Sequence, residues 1–141
     1  MKFNKLFVII PFALLMLAGA IPESVQADRS PFVSPGPDSA RVNGGPGVEA
    51  RDMHAVEFIA IDGHNISPRQ TMWLEPGEYE LTVRIMATSA RHTLMPRTRD
   101  REGYNRIKVE LEAGKRYEIR GYFDRSDRRS PYSVVLYNVS D

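Results

Sequence analysis

Cysteine is absent from the 141 residues, which excludes disulfides, thiolate metal ligation, thiol catalysis and lipid attachment through a cysteine. Stability must therefore come from an apolar core. An excess of either charge is also missing. Nineteen Lys and Arg stand against 18 Asp and Glu, for a formal charge of +1, and that excludes the strongly basic footprint of a generic nucleic-acid binder. Catalytic signatures are lacking too: there is no Gly-x-Ser-x-Gly, His-Glu-x-x-His, phosphate-cradling glycine loop or EF-hand loop. With only His54, His64 and His92 available, and none placed by sequence beside a serine and a carboxylate, a hydrolase is the remote reading. Lysine is scarce after residue 27, where Lys108 and Lys115 accompany fifteen arginines.

What is present begins with an address. Lys2 and Lys5 precede an apolar run from Leu6 to Ile21, and Glu23-Ser24-Val25-Gln26-Ala27 follows. A basic start, an apolar middle and small residues at the end predict a secretory signal peptide over 1–27, cut after Ala27. An uncleaved anchor is the weaker reading, because the run is short of the roughly 20 residues that span a bilayer and Pro11 interrupts it. The expected product is a periplasmic or secreted protein with no stable membrane anchor and no net charge.

Residues 28–49 hold four prolines and four glycines with sparse, aperiodic apolar residues. The segment is expected to be a flexible arm, because it has little to bury against its ordering entropy. From residue 50 the pattern has period two. Val56, Phe58 and Ala60 alternate with Glu57, Ile59 and Ile61. Asp62-Gly63 predicts a tight reversal. Gln70–Leu74 leads to Glu75-Pro76-Gly77-Glu78, which reads as a type II turn. Tyr79, Leu81, Val83 and Ile85 then face in, followed by Ile107, Val109 and Leu111, and by Tyr117, Ile119, Gly121 and Phe123. In the last strand, Tyr132–Val139, Val134 and Leu136 share one face and Val135, Tyr137 and Val139 the other, so it is expected at the centre of a sheet. Six or seven such strands predict an all-β fold, a small antiparallel sandwich of the immunoglobulin-like or transthyretin-like kind over 50–141.

One phrase occurs twice. Leu74-Glu75-Pro76-Gly77-Glu78-Tyr79-Glu80-Leu81 is echoed by Leu111-Glu112-Ala113-Gly114-Lys115-Arg116-Tyr117-Glu118-Ile119. Each is a strand end, a glycine turn, an aromatic anchor and a new strand. The Asp62-Gly63 turn followed by Trp73-Leu74-Glu75-Pro76-Gly77-Glu78-Tyr79-Glu80-Leu81-Thr82-Val83 resembles PEGA-type and carboxypeptidase-regulatory-like domains of bacterial envelopes. The resemblance covers about residues 53–87. It implies a non-catalytic binding or scaffold module, with Asp62, Gly63, Pro76, Gly77, Tyr79, Gly114 and Tyr117 as turn and anchor residues, and it brings no catalytic residue or cofactor.

Two arginine-rich loops are the candidate ligand site. Arg91, His92, Arg97, Arg99 and Arg101 lie in one, and Arg125, Arg128 and Arg129 in the other. If the loops share one end of the sandwich, their guanidinium groups suit phosphates or carboxylates of an envelope polymer, or an envelope protein. Asp100, Glu102, Asp124 and Asp127 offer internal neutralisation instead. Met53-His54, Met72, Met86 and His92-Thr93-Leu94-Met95 raise copper as a remote reading, although their spacing matches no ligand pattern. Trp73 and Tyr122 would make a sugar-stacking platform if exposed on one sheet face. The competing reading to a loop site is a structural subunit that assembles by edge-strand pairing.

Overall fold

The computed structural model describes residues 30–87 and 102–141. Nine strands are present there: β1 Ala40–Asn43, β2 Met53–His54, β3 Val56–Ile61, β4 His64–Arg69, β5 Thr71–Leu74, β6 Gly77–Ile85, β7 Arg106–Leu111, β8 Arg116–Phe123 and β9 Tyr132–Ser140. One sheet runs β4-β3-β6-β7. In the other, β8 is central, with β9 along one side, β2 and β1 sharing the other side, and β5 beyond β1. The inner faces of both sheets supply one core, including Val42, Phe58, Leu74, Leu81, Val83, Tyr117 and Ile119. The all-β sandwich is therefore observed, with more strands than the alternation alone indicates. One sheet is mixed rather than antiparallel, since β1 runs parallel to β8.

The arm expected over 28–49 is the first correction. Ala40–Asn43 is an interior strand between β5 and β8, with Ala40 and Val42 fully buried. Phe32 bridges Leu74, while Val33 N–H donates to Trp73 O (3.1 Å) and Glu75 N–H donates to Pro31 O (3.0 Å), so residues 31–33 close the edge of β5. Two apolar side chains are too few to register as a strand in sequence. Pairing on both sides offsets the ordering entropy that the composition seemed unable to meet.

The Asp62-Gly63 turn forms as expected. Both residues have positive φ (48° and 79°), the pattern of a type I′ hairpin joining Ile61 to His64. Asp62 also fixes the neighbouring strand: its N–H donates to Glu80 O and its Oδ1 accepts the Glu80 N–H, each at 2.8 Å. The type II turn at Glu75–Glu78 is not observed. Gly77 has φ 153°, far from the roughly +80° of that turn, and it already belongs to β6.

The physical reason is that both repeated phrases are arches between sheets rather than hairpins within one. The first carries the chain from β5 to β6 and the second from β7 to β8. Each is tied by its tyrosine. The Tyr79 hydroxyl donates to Glu75 O, and the Tyr117 hydroxyl accepts the Glu112 N–H, both at 2.8 Å.

The last strand is also corrected. Among the described residues β9 pairs with β8 alone, which puts it at an edge of the sheet they form. A register shift leaves Tyr137 as an extra residue and brings Val139 opposite Tyr117, onto the face shared by Val134 and Leu136.

Candidate functional site

The loop site divides. Arg91, His92, Arg97, Arg99 and Arg101 lie outside the described residues. The stems of the two loops do leave the sandwich at one end. Ile85, the last residue of β6, packs over Gly121 near the end of β8, so closely that a Cβ on Gly121 would meet Ile85 Cγ2 at 2.6 Å. In the second loop Arg125 is already engaged. It grips Asp52 with both arms of its fork, Nε to Oδ2 at 2.8 Å and Nη2 to Oδ1 at 2.9 Å, and this partner holds its pKa above the ordinary value. Asp124 accepts the Ser126 hydroxyl (2.6 Å) and N–H (2.8 Å), which draws its carboxyl below the usual range. Arg128 and Arg129 are exposed, and neither makes an ion pair among the described residues.

Of the residues that suggested copper, His92 to Met95 lie outside the described residues, and the others are distributed through the fold. Met72 is 2% exposed in the core, where a thioether fills space. His54 is buried with its ring edge toward Tyr132, at 6.3 Å between centroids, whereas His64 is exposed at the β3–β4 hairpin. Among the described residues, no group of three or more His, Asp or Glu is placed to hold a metal. Trp73 and Tyr122 share the outer face of the five-stranded sheet but do not meet. Trp73 is level with Arg116 through Arg41, and Tyr122 lies six residues farther along β8, about 20 Å at strand spacing.

Sequence reasoning missed Arg120. It is 2% exposed and spends its donors on four carbonyls: Nε to Pro46 O (2.7 Å), Nη1 to Asn43 O (3.0 Å) and Ile119 O (2.9 Å), and Nη2 to Gly45 O (3.0 Å). Glu118 lies 3.5 Å away and the Tyr137 ring 5.7 Å away. Burial lowers its pKa, against the pull of Glu118 and then Tyr137. It clamps the segment after β1 onto β8. No sequence signal marks it, because an arginine on the outward row of a strand reads as solvated.

Of the sheet edges, three are guarded. β4 carries Pro68 and Arg69, β7 carries Arg106, Lys108 and Glu110, and β5 is covered by residues 31–33. Proline, charge and a covering segment are the usual devices that keep an edge from pairing with another chain. Among the described residues, β9 has none of them. Its nine residues, Tyr132–Ser140, contain no charge and no proline, and its one device is the bulge at Tyr137. Leu136 (45% exposed) and Val139 (43%) sit on it, and Met86 is the one other exposed large apolar residue among those described.

Comparison with known proteins adds no neighbour: no family model, curated protein or solved structure matches the chain. Among the described residues, no helix is long and apolar enough to cross a membrane.

Proposed function

We propose that the protein is an exported, non-catalytic binding or adaptor module of the bacterial cell envelope that engages a protein partner by strand addition at β9. The unguarded edge of β9, with Leu136 and Val139 exposed, carries this reading. Main-chain groups along an open edge supply affinity, and the adjacent apolar side chains supply selectivity. The leader over 1–27, the periplasmic or secreted location and the PEGA-like character belong to the same proposal. The two tyrosine-tied arches fit it, because they stiffen the scaffold without adding chemistry.

The test is capture from envelope extract, with amide exchange on the complex. The expected result is a protein retained by the native chain and lost by Leu136→Lys/Val139→Lys, with β9 amides slowed in the complex. Loss on Arg128→Ala/Arg129→Ala, with the β9 variant unimpaired, would instead put recognition on the loops, where both arginines are exposed with no acid partner among the described residues.

A further inference from the structure

The outer face of the five-stranded sheet holds a second feature, independent of β9. Strand register sets Trp73 of β5, Arg41 of β1 and Arg116 of β8 side by side in one row. Two like charges directly opposite each other on neighbouring strands repel. Among the described residues, neither arginine has a carboxylate within ion-pair distance. The nearby Lys115 is paired to Glu112 at 2.7 Å. Arg41 Nε is buried and donates to no acceptor among the described residues. Its guanidinium carbon lies 5.9 Å from the Trp73 ring centroid.

The adjoining charges and the unpaired Nε each cost the fold a little, whereas the Arg41–Trp73 contact is favourable. An incoming anion would relieve the repulsion between the two arginines. We infer that this row is a binding site for a carboxylate-bearing sugar, with Arg41 and Arg116 holding the carboxylate and Trp73 supporting the apolar face of the ring. The anion follows from charge complementarity, since two cations adjoin with no ion-pair partner among the described residues. A sugar is favoured over an acidic peptide by location. Extended peptides are held through main-chain hydrogen bonds at an open sheet edge, whereas this row lies across β8, β1 and β5, whose edges are paired with neighbouring strands or covered by residues 31–33. A half-buried indole offers a flat apolar surface suited to a ring.

Trp73 is the single tryptophan in the chain, so its fluorescence reports the site directly. The experiment titrates the protein with an oligogalacturonate, with a neutral oligosaccharide of the same length and with a poly-glutamate peptide. The expected result is a saturable change in Trp73 emission with the oligogalacturonate alone, weakened at least about tenfold in Arg116→Ala, as removal of one charge-assisted contact implies. Arg116 is exposed, so an unchanged melting temperature in that variant shows that the fold is intact. Leu136→Lys/Val139→Lys should bind the oligogalacturonate normally. Three results would overturn the inference: no response to the acidic sugar, an equal response in Arg116→Ala, or an equal response to poly-glutamate.

Discussion

Arg120 shows how one side chain can decide a region that composition marks as loose. The segment Asn43–Gly47 offers little side chain to bury, yet its Asn43, Gly45 and Pro46 carbonyls converge on one guanidinium. Removing it leaves buried acceptors unpaired, which costs more than the hydrogen bonds themselves. Arg120→Ala should lower stability in urea melts by about 3 kcal/mol or more. At Tyr79 the hydroxyl must stay protonated to donate to Glu75 O. Burial first, then the Glu75 and Asp62 carboxylates, raises its pKa above the ordinary 10.0. The folded state then keeps a proton that the unfolded chain has lost. This contribution is therefore complete below pH 10.0 and declines as pH rises past it. Tyr79→Phe should cost about 1 kcal/mol at neutral pH and flatten the fall in melting temperature above that pH.

At the level of elements, the close approach of β6 and β8 has a steric signature. A methyl group on Gly121 would overlap the branched Ile85 side chain, so Gly121→Ala should cost about 1–3 kcal/mol in thermal or urea melts. β9 behaves in the opposite way. Leu136 and Val139 are each nearly half exposed, so Leu136→Lys/Val139→Lys should cost no more than about 1 kcal/mol of monomer stability per site, while abolishing partner capture. A large stability loss would mean that these residues belong to the core. Bulges explain where alternation misleads. In β3 the shift between Phe58 and Ala60 turns Ile61 onto the inner row beside Leu81 and places Ala60 opposite Thr82. In β9 the shift moves Val139 across to the Leu136 face. A bulge inverts every later side chain, and no residue type in either strand announces it.

For the whole molecule, the consequential boundary is the start of the folded unit. Pro31–Asp141 forms one compact unit, and β1 occupies the gap between β5 and β8. A fragment of residues 50–141 would leave both of those strands with open edges and remove Ala40 and Val42 from the core. It should melt broadly and give collapsed amide dispersion, whereas residues 30–141 should melt cooperatively. A sharp transition for the shorter fragment would show that β1 is dispensable.

Local chemistry alone was enough to mark much of the sandwich. The inward rows of β6, β7 and β8 follow from strict alternation, and Asp62-Gly63 dictates its reversal because both positions need positive φ. The two glycine–tyrosine phrases were visible as a repeat. Their role as arches was not, since a turn looks the same whether the next strand joins its own sheet or the opposite one. β1 and β4 escaped notice because four residues hold too short a period and because Pro68 and polar neighbours mask an edge strand. The Arg41–Trp73–Arg116 row joins three strands distant in sequence, and only register could assemble it. Whether β9 is central or an edge was likewise a tertiary decision. An apolar strand can be buried on both faces or left open on one, and which of these occurs depends on the strands placed beside and above it.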